Sequence, residues 1–150
     1  MKRLPKFVVY KKTGAMQFSL TPADHSENDE FAYTKGFVML EMAGANGQRS
    51  KNELAVYDWK NKVTMKLNEV DIQQILTGFQ VGKMSIVHDP TKANNKSAPK
   101  KFLTIEKATQ SGFFVSMNFG DRNTKSSLSD EEARNLRLLL SKAITRIFGW

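Results

Sequence analysis

Apolar and polar residues alternate along most of the chain, and this pattern predicts a series of short strands. A period of two is typical of half-buried β-strands, and it covers residues 7–10, 15–20 and 36–43. Further strand patterns cover residues 55–59, 62–67, 83–88, 101–107 and 112–119. We expect the strands at 55–59 and 62–67 to form a hairpin around Lys60 and Asn61. The small and polar residues 44–52 and 120–127 are expected to be connections.

Two segments change to the helical period and carry helix-start signals. Asn68 followed by Asp71, and Ser129 followed by Glu132, have the spacing of a capping box. The first helix is expected to end at Gly78. The second has apolar residues at helical spacing as far as Ile147, with acids in its first turn and bases later. We therefore expect it to pack on the core, with its end in the core or across a dimer interface.

The order of these elements repeats. The residues that open the two helices match each other, and so do two strand segments upstream, in the same order. This predicts a single α+β domain over residues 1–150, with repeat units at about 6–80 and 81–150. Each unit is expected to have the order ββββα, giving two antiparallel four-stranded sheets with packed helices.

The charge of the chain indicates the kind of partner. Its 150 residues contain 23 Lys and Arg against 15 Asp and Glu, a net charge of +8. Such an excess attracts polyanions, and the bases are concentrated in residues 1–20 and 81–101. Cysteine is absent, which excludes thiol chemistry and cysteine-ligated metals. No membrane span or targeting segment is visible, so we expect a cytoplasmic protein.

The sequence does not predict an enzyme or a cofactor. Its two histidines are His25 and His88, and His88-Asp89-Pro90 is interpreted as a turn whose side chains hydrogen-bond to the backbone. The acidic segment (Asp24, Glu27, Asp29 and Glu30) lacks the glycine and final glutamate of a calcium loop, so no metal is expected. No glycine-rich phosphate-binding loop is present.

Lysines interleaved with aromatic residues favour nucleic acid instead. Tyr57, Trp59, Lys60, Lys62 and Lys66 follow one another on the predicted hairpin, and Lys100-Lys101-Phe102 opens a later strand. Unpaired nucleic acid needs cations along its phosphates and flat rings for its bases. Each aromatic residue also fits a core position, and each lysine a solvated strand edge.

Several motifs resemble the Whirly family of single-stranded-DNA-binding proteins. The matching segments, in family order, are Lys35-Gly36-Phe37-Val38-Met39-Leu40, Tyr57-Asp58-Trp59, the helix at 67–76, His88-Asp89-Pro90, Lys101-Phe102-Leu103-Thr104-Ile105-Glu106, and Gly149-Trp150. That family shares its ββββα architecture with the positive-cofactor transcriptional coactivators. The resemblance implies an oligomer, a dimer or a tetramer, that binds single strands in replication, recombination, repair or transcription. We expect a bacteriophage or bacterial source.

These observations give a set of candidate binding residues. Lys60, Lys62, Lys66, Lys100 and Lys101 are expected to contact phosphates, and Phe37, Trp59 and Phe114 to stack on bases. Two alternatives remain open at this point. The natural ligand is RNA in one of them, and in the other the protein is a non-catalytic interaction module or transcription cofactor whose charge is incidental.

Overall fold

The first half of the chain forms an antiparallel sheet of five strands, one more than the four that the sequence predicts. The computed structural model describes residues 5–25, 33–49, 55–90 and 99–150. Among these residues, sheet 1 contains β1 (Lys6–Tyr10), β2 (Gly14–Thr21), β5 (Phe37–Arg49), β6 (Ala55–Tyr57) and β7 (Val63–Leu67). The order is β1-β2-β5, and both β6 and β7 pair with β5. Two short strands, β3 (Asp24–His25) and β4 (Tyr33–Thr34), pair separately.

The second half forms sheet 2, and two helices pack with the sheets. Sheet 2 has the order β11-β10-β9-β8, every pair being antiparallel. Its strands are β8 (Lys83–His88), β9 (Lys101–Lys107), β10 (Phe113–Phe119) and β11 (Arg122–Leu128), and the helices are α1 (Glu69–Val81) and α2 (Asp130–Phe148). The α+β class with antiparallel sheets is therefore confirmed.

Both predicted capping boxes start the helices. The Asn68 side chain accepts the backbone N–H of Asp71, whose carboxylate accepts the backbone N–H of Asn68 in return. Ser129 and Glu132 make the same reciprocal bonds at the start of α2. These bonds satisfy amide groups that the first turn of a helix leaves unpaired, which is why the spacing predicted the starts correctly.

The predicted stop at Gly78 is wrong. Helix α1 continues through Gly78 and ends at Val81, where Gly82 takes the left-handed conformation with φ 99°. A Cβ atom at Gly78 would lie 2.2 Å from Cγ of Met84. Gly78 therefore allows the helix to approach β8 closely, and Gly82 terminates the helix.

Strand β5 is longer than the sequence predicts, and the expected hairpin is absent. Residues 44–49 were expected to be a loop, but they continue β5 because β6 pairs with them. Strand β7 pairs with Val38–Met42 of the same strand β5, so β6 and β7 follow one another along one partner strand. A 3-10 turn, Trp59–Asn61, connects them.

A further strand, β11, begins at Arg122 and includes residues 122–127 of the segment that was expected to be a connection. Two of its inward positions, Thr124 and Ser126, are small and buried, and the Ser126 hydroxyl donates to the carbonyl of Gly14 at 3.0 Å. Threonine and serine are typical of loops in a sequence, whereas in this structure they are buried where the two sheets meet. A Cβ atom on Gly14 would lie 2.3 Å from the carbonyl oxygen of Lys125.

One hydrophobic core lies between the sheets and the helices. Strand alternation directs Val38, Leu40 and Met42 of β5 into it. Sheet 2 contributes Leu103, Ile105, Val115 and Met117, and the helices contribute Ile72, Ile75, Phe79, Leu136, Leu140 and Ile147. Ile147 is buried as expected, while Phe148 and Trp150 are exposed. The opposite faces of both sheets carry the polar and basic side chains.

Candidate nucleic-acid interface

The surface of sheet 1 that faces away from the core forms the centre of the candidate site. We call it outer face 1: the outward residues of β1, β2, residues 37–43 of β5, and β7. The strand register arranges them in rows: Thr21 and Phe37; Lys6, Ser19, Met39 and Lys66; Val8, Gln17, Glu41 and Thr64; and Tyr10, Ala15 and Ala43. The face therefore combines lysines, hydroxyl and amide groups, and an aromatic ring at each end.

Phe37 and Lys66 form a contact at one end of outer face 1. Lys66 Nζ lies 4.2 Å from the centre of the Phe37 ring. Phe37 is half-buried and Lys66 is exposed. The structure thus brings together two residues that the sequence predicted separately, one for stacking and one for phosphate.

Lys62 and Glu41 form an ion pair near the middle of this face. The Glu41 carboxylate also accepts a hydrogen bond from Gln17 Nε2 at 3.0 Å. Burial by itself would raise the pKa of Glu41, but the hydrogen bonds from Lys62 and Gln17, with the charges of Lys62 and Lys6, outweigh it and lower this pKa below its usual value. Glu41 is therefore ionised at neutral pH, and its ion pair with Lys62 neutralises the charge of that lysine.

Sheet 2 meets the outer edge of β7 through Lys101. The Lys101 ammonium donates to the backbone carbonyl of Thr64 at 2.6 Å and lies 5.2 Å from the centre of the Phe119 ring. Partial burial lowers the pKa of Lys101, because its surroundings solvate a charge less well than water does. Arg122 reaches the same edge and donates to the carbonyl of Asn61 at 3.3 Å.

A cavity of about 620 Å³ lies at this junction. We call it the junction cavity. Its walls bring Lys66 of β7 together with Lys101 and Phe119 of sheet 2, and His88, Asp89 and Pro99 complete one side. Two of the predicted phosphate-binding lysines, from distant parts of the sequence, therefore face one space.

His88 and Lys100 contact carboxylates beside the junction cavity. His88 Nε2 lies 3.1 Å from Asp71 Oδ2, so its described partner is a side chain and the expectation of a backbone partner is corrected. The ring links the end of β8 to the cap of α1. Lys100 Nζ lies 3.7 Å from the Asp89 carboxylate and is largely exposed.

The remaining predicted residues are located in two different places. Trp59 and Lys60 lie in the 3-10 turn between β6 and β7, where Trp59 is half-buried and Lys60 is exposed. Phe114 is 61% exposed on the outward face of sheet 2. It is five positions from Phe119 in β10, roughly 17 Å along the strand. The structure therefore does not bring Phe114 to the junction cavity.

Phe114 has a basic environment of its own. A cavity of about 600 Å³ beside it is lined by Lys11, Lys12 and Lys125. Of these, Lys11 makes an ion pair with Glu132 at 2.6 Å. The outward face of sheet 2 is thus a second surface with both a ring and cations.

Sequence reasoning missed several residues of outer face 1 and the junction. These are Lys6, Tyr10, Phe119 and Arg122. Tyr10 is 63% exposed, and its ring centre lies 5.6 Å from that of Tyr57. Alternation within 6–10 would have placed Lys6 and Tyr10 on one face, but the contacts at Phe119 and Arg122 depend on how the sheets meet.

The described residues contain no group of three or more His, Asp or Glu side chains arranged to hold a metal. Asp24 is exposed, and the His25 ring packs against Tyr33 with 5.3 Å between centres. Glu27, Asp29 and Glu30 lie outside the described residues. Neither described helix is long and apolar enough to cross a membrane.

Comparison with known proteins identifies the family. Residues 9–145 match the family model described as Whirly transcription factor. The chain belongs to the Whirly family. The match begins within β1 and ends within α2, and it supports a DNA-binding regulator.

Solved structures of plant Whirly proteins have the same fold. The plant transcriptional regulator PBF-2 is 24% identical with a TM-score of 0.80, the match covering 100% of this chain and 85% of that one. WHY1 from Arabidopsis thaliana is 20% identical with a TM-score of 0.81, covering 100% and 88%. WHY3 from Arabidopsis thaliana is 19% identical with a TM-score of 0.80, covering 100% and 92%. No protein with a curated description matches this Whirly chain.

Proposed function

We propose that this Whirly protein binds single-stranded DNA with little sequence preference, at outer face 1 and the junction cavity. The observation that carries the proposal is the presence of two lysine–phenylalanine contacts, Lys66 with Phe37 and Lys101 with Phe119, whose lysines line one cavity. The two lysines can contact the phosphates of a single DNA strand, and the two phenylalanine rings can stack on its bases.

Stacking of a base on Phe37 is favourable even though Lys66 now lies over the ring. An exposed cation–π contact contributes about 0.5–1 kcal/mol, whereas a base stacked on an aromatic ring contributes about 1–3 kcal/mol. A base can therefore replace the ammonium group on the ring. Lys66 is then free to contact the phosphate that arrives with that base.

Lys101 suits phosphate because its desolvation is already present in the free protein. A charge in a poorly solvated position gains more from an arriving anion than a fully hydrated one does. Lys60, Lys62 and Lys100 would extend the phosphate contacts around the junction. Phe114, with Lys12 and Lys125, would hold a more distant part of the same strand.

We also propose that the chains assemble into homo-oligomers through α2. Leu138 and Leu139 are 71% and 52% exposed, although both lie in the middle of a helix. Leu138 lines a cleft between the two helices together with Leu76, while Leu139 lines an apolar cavity against β2. Adjacent exposed leucines of this kind are typical of an interface. Assembly would align several binding faces along one strand.

Binding of this kind suits a regulator of transcription, and it equally suits roles in replication, recombination or repair. We would measure fluorescence anisotropy with labelled oligo-dT of increasing length, with matched duplex and oligo-U, at two salt concentrations. Tight binding to oligo-dT over duplex, increasing with length and weakening with salt, is expected. Preference for oligo-U would indicate RNA as the ligand. No binding at low salt would contradict the proposal and leave a protein-interaction module.

A further inference from the structure

Glu41 is an acidic residue in the middle of a basic surface. It is the sole acid in the sequences of β1, β2, β7 and residues 37–43 of β5. It occupies the outer-face row between Gln17 and Thr64 and is only 8% exposed. A phosphate backbone approaching outer face 1 would meet this carboxylate.

Fold stability alone does not account for a carboxylate at this position. Burying an ionised group is costly unless it is paired, and a polar residue such as Thr64 fills the neighbouring position of the same row without charge. Glu41 is paired: one oxygen accepts from Gln17 and the other contacts Lys62. Glu41 lies on β5, Gln17 on β2 and Lys62 just before β7, so three separate segments of the chain position this carboxylate and its partners.

We infer that Glu41 is a specificity-determining residue, which competes with nucleic-acid phosphates for Lys62. This inference rests on the proposed binding of single strands at outer face 1. A phosphate can use Lys62 only when the ammonium leaves Glu41, so this lysine contributes less to binding than its charge suggests. The effect penalises any ligand that is held by phosphate contacts alone.

Such a penalty favours single strands over duplexes. A duplex presents its phosphates while its bases stay stacked inside, and its non-specific binding comes from charge. A single strand can also stack bases on the rings of the face, which Glu41 does not oppose. The Glu41 carboxylate therefore lowers the affinity for duplex DNA more than it lowers the affinity for single strands.

The Glu41→Gln substitution tests this inference. Glutamine keeps the shape and can still accept from Gln17, while Lys62 loses its counter-charge. We expect affinity for duplex to increase more than affinity for oligo-dT, so that the selectivity ratio falls. The salt dependence for oligo-dT should become steeper by about 0.7 in the log–log slope, the value for one additional neutralised phosphate.

Glu131→Gln is the matched control. It removes the same charge from an exposed glutamate in the first turn of α2, which lies outside outer face 1 and lines neither the junction cavity nor the cavity beside Phe114. If both substitutions increase duplex binding equally, the effect is one of net charge and the inference is wrong. In the Lys62→Gln background, Glu41→Gln should no longer steepen the salt dependence for oligo-dT, because no lysine remains to be released from the ion pair.

A second measurement does not depend on the folding of the Glu41 variant. Lys62→Gln should reduce the salt slope for oligo-dT less than Lys66→Gln does, because Lys62 is already neutralised by Glu41. Equal reductions would overturn the inference while leaving single-strand binding established. If the unaltered protein does not bind oligo-dT at all, the proposed function itself has failed, which is a distinct result.

Discussion

Lys66 Nζ lies 4.2 Å from the centre of the Phe37 ring, and the two residues come from neighbouring strands of sheet 1. The register pairs Lys66 with Met39, two positions from Phe37, so the contact runs diagonally across one face. The cation and the ring therefore have fixed relative positions before any ligand arrives. A nucleotide that stacks on Phe37 would bring its phosphate within the range of Lys66.

Phe37→Ala is expected to weaken binding of oligo-dT by roughly 5- to 150-fold, the equivalent of about 1–3 kcal/mol for one lost stacking platform. The salt slope should change little, because no cation is removed. Anisotropy titrations at several salt concentrations measure both quantities.

Phe148→Ala is the control for this experiment. Phe148 also has a lysine over its ring, with Lys35 Nζ 4.7 Å from the centre, but it lies at the end of α2. Its replacement should leave oligo-dT affinity unchanged. Equal losses in both variants would show that the Phe37 effect is not one of base stacking at outer face 1.

The positions of the candidate lysines could be predicted only in part from the sequence. Strand patterns correctly located Lys66 on β7 and Lys101 on β9. Their meeting across the junction cavity depends on the angle at which sheet 2 meets β7, and no local pattern encodes that angle. Because this angle could not be predicted, Phe114 was expected to act together with these lysines. The structure places it at the opposite end of β10 from Phe119 and the junction cavity.

The fold shows the same division between local and long-range information. Both capping boxes were predicted because their hydrogen bonds join residues three positions apart. The hairpin at 55–67 was wrong because β6 and β7 prefer the long strand β5, whose extension through residue 49 lacks an apolar pattern. Strand β11 was missed because two of its three buried positions, Thr124 and Ser126, are hydroxyl residues, and the Ser126 hydroxyl donates to the carbonyl of Gly14.

Partial burial of Lys101 predicts an unusual pH dependence of binding. Its pKa is lowered because burial disfavours the charged form, so on raising the pH it loses its proton earlier than an unperturbed lysine does. Affinity for oligo-dT should therefore begin to fall at a lower pH than expected for ordinary lysines. Affinity measured between about pH 7 and pH 10 checks this prediction, since an unperturbed lysine titrates near 10.4.

The Lys101→Arg substitution tests whether Lys101, and not another lysine, causes this early loss of affinity. The guanidinium stays protonated throughout that range, so the early loss of affinity should disappear in the variant. Lys12→Arg, at an exposed lysine in the β1–β2 turn, should leave the profile unchanged. An identical alkaline profile in the unaltered protein and in Lys101→Arg would show that Lys101 is not a phosphate contact.

The exposed leucines on α2 predict that charged substitutions at these positions disrupt the proposed oligomer. Leu138→Glu with Leu139→Glu should shift the protein to monomers, because an apolar interface does not accept buried, unpaired carboxylates. Light scattering coupled to size exclusion measures the mass. Asn135→Glu with Thr145→Glu, at exposed positions of the same helix that line neither cavity, adds the same charge and should leave the mass unchanged. An unchanged mass in the leucine variant would mean that these leucines do not form the interface.

The contact between the sheets at Gly14 gives a prediction about stability. Gly14 and Gly44 are opposite each other in the β2–β5 register, yet their surroundings differ. A Cβ atom on Gly14 would lie 2.3 Å from the Lys125 carbonyl oxygen, whereas one on Gly44 would meet nothing within 4 Å. Gly14→Ala should lower the free energy of unfolding by about 1–3 kcal/mol, because the backbone of β11 must move away. Gly44→Ala should change it by less than about 0.5 kcal/mol. Urea denaturation followed by circular dichroism compares the two variants, and equal stabilities would mean that β11 does not lie against Gly14 in solution.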